Sequence, residues 1–329
     1  MRKVKLARRR FLQLAAGVAA FAGASVMFAE ASPPARTIKI IVPAPAGGSL
    51  DFLTRLLAEQ ISRTQGPTID IDNRPGATTV IGTEAAARAA PDGNTLLTNA
   101  PTAFTITPHL RKVGYDPLNS FEPTCSLVGF PLVIAVNSAA PYRTLDELLD
   151  AARAKPGGLT LASIGPASLA HIAFEKLKRA AKVDITFVPY TGTSSAMNAL
   201  LGQHVTSYFG NYTDVAEQAK AGKLRVLATA SRARIAALPE LPTVAESGYP
   251  DYEFESFYGL FAPAKTPKAT VSKLADWFTS AMQVPEVDVK LVDQGLSPVG
   301  MCGADFVALL RKQHDEFGRI IREADIKAE

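Results

Sequence analysis

From Ile38 onward the apolar positions switch between two rhythms. "IKIIVPA" at 38–44 is a near-continuous apolar run ending at proline, the pattern of a strand covered on both faces. Phe52, Leu53, Leu56, Leu57 and Ile61 then recur at helical spacing and predict a helix over 50–64. "TIDID" at 68–72 predicts a second strand, with a turn at Pro75 and Gly76. Residues 80–90 read as an Ala-rich helix that stops at Pro91, Asp92 and Gly93, and "NTLLTNA" reads as a third strand.

The alternation continues with strands at 131–139, 159–165, 184–190, 204–211 and 224–230. Helices fit 168–180, 194–202 and about 212–220. In "YRTLDELLDAARAKPGG" Thr144 is the expected N-cap, Glu147 completes a capping box, and Pro156, Gly157 and Gly158 end the helix. Residues 232–250 read as a loop with one short helix and 252–264 as a strand. Helices over 267–282 and 304–323 follow, joined through "LSPVGM". Strands alternating with helices imply an α/β protein with parallel sheets flanked by helices. The predicted division is two lobes, 37–140 with 250–329 and 141–249, hinged around a ligand cleft.

A chain of 329 residues, 47% apolar and 20% charged, suits a soluble globular protein. The first 31 residues stand apart. Arg8, Arg9, Arg10, Phe11 and Leu12 look like a twin-arginine export signal, followed by an apolar, small-residue stretch and an A-x-A site at Ala29, Glu30 and Ala31. An uncleaved anchor is the alternative reading of this segment. Removing 1–31 takes away six basic residues and one acidic, so 35 against 31 becomes 29 against 30 and the formal charge falls from +4 to −1. The mature chain therefore lacks the basic bias of a nucleic-acid binder. Cys125 and Cys302, 177 positions apart, read as two buried thiols rather than a disulfide, although an oxidising compartment permits pairing.

Candidate chemistry gathers where strands end. "PAGGSLD" places Ala46, Gly47, Gly48, Ser49 and Asp51 between the first strand and its helix, where backbone approaches a ligand and helix N–H groups favour an anion. Asp51 suits the dipole but repels an anion faced directly, so ordering of backbone or water is its expected role. "ASIGPASLAH" offers Gly165 for the turn and Ser163, the Ala167 N–H and Ser168 as an anion nest. His171 either fastens that loop or approaches the ligand. "PYTGTSS" contributes Tyr190, Gly192 and Thr193, and "TNAPT" contributes Thr98, Asn99, Ala100 and Thr102. Asn211 and Asp214 follow another strand and are expected to orient water or ligand. Phe254, Phe257, Tyr258 and Phe261 read chiefly as core or hinge packing.

Neither a G-x-G-x-x-G fingerprint nor a Walker loop occurs. The four histidines, at 109, 171, 204 and 314, lack zinc-site spacing, and Ser163 is not in a G-x-S-x-G elbow. A binding protein is favoured over an enzyme, with no cofactor and no metal expected.

Taken in order, "IKIIVPAPAGGSLD", "DNRPGATTVIG", "AAPDGNTLL", "ASIGPASLAH", "VPYTGTSSAMNALLGQHV", "AGKLRVLATASRARIAALPELPTVAESGYP" and "YGLFAPAKTP" resemble the Bug-type receptors of tripartite tricarboxylate transporters. The resemblance runs from about residue 37 to the C-terminus. It implies a periplasmic "Venus flytrap" monomer of two α/β lobes that binds a small organic acid and hands it to separate large and small membrane subunits. By the same resemblance the expected ligands are di- and tricarboxylates, with aromatic acids, acidic amino acids or nicotinate-like compounds in other members. By resemblance Gly47, Gly48, Ser49 and Asp51 form the first ligand loop, Gly165, Ser168 and His171 the second, and Tyr190 and Gly192 the third. Three motifs depart from the family pattern. Ala167 replaces a glycine, Thr191 stands where lysine is frequent, and Phe257 and Tyr258 replace a tryptophan-containing version. A ligand sensor for a signalling system, or a hydrolase acting on a small acid, are the alternatives.

Overall fold

The computed structural model describes residues 37–254 and 256–327, so the expected export signal lies outside the described residues. Two mixed sheets form. The first has the order β11-β4-β10-β3-β1-β2 and the second β7-β6-β8-β5-β9. In the first, β1 (Thr37–Val42) lies parallel to β2 (Thr68–Asn73) and β3 (Thr95–Asn99). Strand β10 (Phe257–Pro263) runs antiparallel to β3 and to β4 (Phe121–Gly129), whose other side pairs antiparallel with β11 (Ser297–Cys302). In the second, β6 (Thr160–Ile164) is parallel to β7 (Thr186–Tyr190) and β8 (Ser207–Asn211). Strand β5 (Leu132–Asn137) is antiparallel to β8 and to β9 (Leu224–Thr229). The expectation of parallel sheets is thus corrected. Strands that return after a crossing between sheets arrive with reversed direction.

Those crossings are short on the outward path. The chain leaves the first sheet at Gly129 and enters the second at Leu132, so β5 joins the second sheet although it falls within 37–140. It returns to the first sheet at Phe257.

Both sheets are covered on both faces, and alternation sorts the side chains. On β5, Leu132, Ile134 and Val136 enter one cluster, while Val133 and Ala135 enter another on the opposite face. On β10, Leu260 and Ala262 face one way and Phe257 and Phe261 the other. Helix α1 (Ser49–Gln65) follows β1, then α2 (Val80–Ala87), with short turns α3 (Thr102–Thr105) and α4 (Thr107–Leu110) after β3. The second sheet carries α5 (Leu145–Ala154), α6 (Leu169–Ala181), α7 (Thr193–Leu201) and α8 (Tyr212–Lys220). The chain closes with α9 (Lys268–Met282), α10 (Pro285–Asp293) and α11 (Ala304–Glu323). Helix α11 serves both lobes. Phe306 and Leu310 pack under the first sheet, and Phe317, Ile320 and Ile321 join the core of the second. Among the described residues no helix is long and apolar enough to cross a membrane.

Cys125 and Cys302, expected as separate thiols, form a disulfide. They are register partners on β4 and β11. Adjacency of two strands, not spacing along the chain, brings them together.

Candidate functional site

Helix α1 begins at Gly48 without a side-chain cap, and its first N–H groups, on Ser49, Leu50 and Asp51, find no acceptor among the described residues. The turn before it is braced from below. Gly47 takes φ +85°, a conformation open to glycine, and donates its N–H to the Asp51 carboxylate at 2.8 Å. That carboxylate also accepts from Arg55 Nε at 2.9 Å and Asn73 Nδ2 at 2.9 Å. Burial pushes the Asp51 carboxyl up, but the bonds from Arg55, Gly47 and Asn73 outweigh it and hold the group below its usual range. Asp51 is buried and its carboxylate is engaged by the Gly47 N–H, Arg55 and Asn73, so it ties the loop to α1 and β2. Ala46, Gly47, Gly48 and Ser49 are exposed.

Helix α6 presents a second free N-terminus. The Ser168 hydroxyl accepts the His171 N–H at 3.1 Å, whereas the N–H groups of Ser168, Leu169 and Ala170 have no acceptor among the described residues. Ala167 adopts φ 58°, which costs an L-residue about 1 kcal/mol or more. It is held there by donating its N–H to His171 Nδ1 at 3.1 Å. The imidazole lies flat on Phe187, with centroids 3.8 Å apart. His171 therefore fastens the loop.

The expected nest of Ser163, Ala167 and Ser168 needs correction. The Ser163 hydroxyl is fully buried and donates to the Phe209 carbonyl at 2.7 Å, and the Ala167 N–H belongs to His171. Only Ser168 keeps a proton to offer outward. Thr98 likewise turns inward, onto the Thr54 hydroxyl at 2.8 Å, and Asn99 spends its amide on Thr83 Oγ1 and its oxygen on the Ala100 N–H. Asp214 accepts from the Tyr208 hydroxyl at 2.6 Å, the Asn211 N–H at 3.1 Å and Thr193 Oγ1 at 3.4 Å. Burial raises its pKa against these bonds, and the group acts as an internal anchor.

A cavity of about 390 Å³ opens between the two sheets, within the size of small-molecule sites. Ala100 and Thr102 after β3 and Tyr258 at the start of β10 line it from the first sheet's side. From the second sheet's loops come Gly165, the α6 start and Asn211, with Phe130 at the crossing. Among the described residues no acidic or basic side chain lines it. Tyr258 packs tilted against Phe130 with ring centroids 4.6 Å apart, and burial, aided by the charge of Asp214, pushes its hydroxyl up to about 12. Phe254, Phe257 and Phe261 are core residues. A cleft of about 20 Å³ beside it contains Ser49 and shares Phe130, Asn211 and Tyr258 with the main cavity. There Gly295 approaches Thr213 so closely that a Cβ on it would lie 2.4 Å from the threonine methyl. Tyr190, Gly192 and Thr193 border neither cavity, although the Tyr190 carbonyl fixes the Gly165 N–H at 2.9 Å. A larger cavity of about 700 Å³ is lined only by residues 143–247 and contains none of the expected contacts.

Sequence reasoning passed over Thr78, Phe130 and the Leu169 and Ala170 backbone. The helical signal beginning at 168 was the clue to the last two, because the first turn of any helix leaves N–H groups unused. Among the described residues no group of three His, Cys, Asp or Glu gathers as a metal site.

His171 ties the second loop to pH. Burial lowers its pKa, with Lys178 assisting and Glu175 opposing. The neutral ring is the form that accepts from Ala167. A base with a depressed folded pKa stabilises the fold fully above its unfolded value of about 6.5, and the contribution is lost as pH falls toward the folded value. The melting-temperature gap between wild type and His171→Ala is expected to shrink between pH 8 and pH 5. A gap constant across that range would remove the linkage.

The family model "Tripartite tricarboxylate transporter family receptor" matches residues 53–326. Protein BugT of Bordetella pertussis is 31% identical over 311 residues, covering 94% of this chain and 95% of its own length. Among solved structures, R. palustris Rpa4515 with adipate is 29% identical with a TM-score of 0.73, covering 90% of this chain and 99% of that one. A ligand-free TctC solute binding protein from Polaromonas is 26% identical with a TM-score of 0.81, covering 89% and 100%. The chain belongs to the tripartite tricarboxylate transporter receptor family, the solute-binding components that serve this class of transporter.

Proposed function

We propose that this receptor works in the periplasm as a monomer, seats a carboxylate of a small organic acid on the start of α6, and delivers the acid to the membrane subunits. One observation carries the reading. The N–H groups of Ser168, Leu169 and Ala170, without an acceptor among the described residues, open on a cavity lined from both lobes in which no described residue is acidic. A helix N-terminus in that setting favours an anion without any cationic residue. The adipate-bound relative supports an acid as ligand. In this reading Ser49 and the Gly47 and Gly48 backbone, braced by Asp51, serve the opposite lobe, with water bridging some contacts.

The purified mature protein, titrated with organic acids in a calorimeter, tests the proposal. Saturable binding with a rise in melting temperature and no product is the expected result. Turnover of the acid by the protein alone would overturn it. Gly48 gives a local check. Its φ of −78° suits any residue, and a Cβ there meets nothing nearer than the Pro45 oxygen at 3.6 Å. Gly48→Val should keep its circular dichroism and lose affinity, and unchanged affinity would take Gly48 off the contact surface.

A further inference from the structure

The main cavity does not end at the α6 start. A side chamber of about 120 Å³ shares Thr78, Thr102, Pro166 and Ala167 with it, and so continues the same space toward α4. Its walls include Ile106 and Leu110, and Arg111 closes it. Arg111 is the one charged residue lining either space among the described residues. Among the described residues it forms no ion pair, and its Nη2 donates to Thr78 Oγ1 at 3.3 Å. Thr78 itself sits in a run of left-handed residues, with φ 47°, 53° and 72° at Ala77, Thr78 and Thr79. Three such non-glycine residues in succession store strain, which persists where surroundings fix it. The tether from Arg111 is one of the fixing contacts, and it holds the guanidinium at the mouth between chamber and cavity.

We propose that Arg111 is a specificity-determining residue that receives the second acid group of an elongated dianion. The first carboxylate lies on the α6 N–H groups, the apolar middle runs past Thr102 and Ala167, and the far carboxylate meets the guanidinium. This rests on the acid-binding reading given above and adds a selection rule to it: diacids with an apolar spacer are preferred over monoacids of the same length. A guanidinium fork suits a carboxylate through two parallel bonds, which a neutral end group cannot use.

Calorimetry with straight-chain α,ω-dicarboxylates of four to eight carbons and the matching monocarboxylates tests this. Wild type should bind at least one dicarboxylate tighter than its monocarboxylate partner. Arg111→Gln, which keeps a donor for Thr78, should weaken that dicarboxylate by at least tenfold and the monocarboxylate by less than twofold. Arg111→Lys should restore part of the preference, and added salt should erode it in wild type but not in Arg111→Gln. Equal losses for both ligand sets, or an intact preference in Arg111→Gln, would overturn the assignment while leaving acid binding in place. Failure of wild type to bind any acid of either set would bring down the acid-binding reading and this one together. Arg111 is exposed, so an unchanged melting temperature in the variants serves as the folding control.

Discussion

Leu169→Pro is expected to weaken acid binding by about tenfold or more and to leave the fold intact. Leu169 is the first residue of α6, and its N–H has no acceptor among the described residues. Proline is favoured at that position because the missing N–H makes no helical bond. The preceding residue must be extended, and Ser168 already has φ −75° and ψ 163°. The substitution therefore deletes one donor and little else. A hydrogen bond to a charged group contributes about 1.5–3 kcal/mol, or roughly 10- to 150-fold in affinity. Leu169→Ala is the matched control, since it removes the side chain and keeps the donor. Calorimetry on the pair separates the two effects. If proline and alanine bind the acid equally well, the carboxylate does not sit on α6.

Replacing Cys125 and Cys302 together by alanine is expected to lower the melting temperature by about 6–12 °C. The bond closes a loop of 177 residues, and a native disulfide typically contributes about 3 kcal/mol by restricting the unfolded chain. At this chain length each kcal/mol shifts the midpoint by about 2–4 °C. Neither cysteine lines the main cavity or the side chamber, so the affinity for acid should hold. Calorimetric melting of the double variant beside the reduced wild type is the measurement. A shift below about 2 °C would mean that β4 and β11 hold each other without the covalent link.

The same pair marks where the sequence was hard to read. Strand β11, "SPVGMC", is a mostly exposed edge with a proline and a glycine, so no apolar rhythm announces it. In β4, "FEPTCSLVG", burial on both faces hides alternation and Pro123 breaks the pattern. With both strands unread, the cysteines had no reason to meet. Strands β1, β3 and β6, apolar runs bounded by turns, were legible because local pattern alone defines them. Strand direction was not legible, since a run of apolar residues carries no arrow.

At the site, the loops were visible and their atoms were not. Glycines and small polar residues at strand ends lie at the α1 and α6 starts, where N–H groups have no acceptor among the described residues. Which donor stays free is decided from far away. The Ser163 hydroxyl is claimed by a carbonyl 46 residues on, and Thr98 by a threonine 44 residues back. Thr144 caps α5 as its spacing predicts, accepting from the Glu147 N–H at 3.2 Å. Glu147 reaches the Arg143 N–H instead of completing the reciprocal bond, a one-residue shift that the local motif does not encode.

Gly295 and Thr213 meet where loops of the two sheets come together. One jaw carries bare backbone there, the other a methyl group, and the gap left between them is smaller than one carbon atom. A side chain at position 295 would therefore force Thr213 or the surrounding backbone to shift, so Gly295→Ala is expected to push the two sheets' loops apart and to weaken all ligands by a similar factor, which calorimetry on the variant checks.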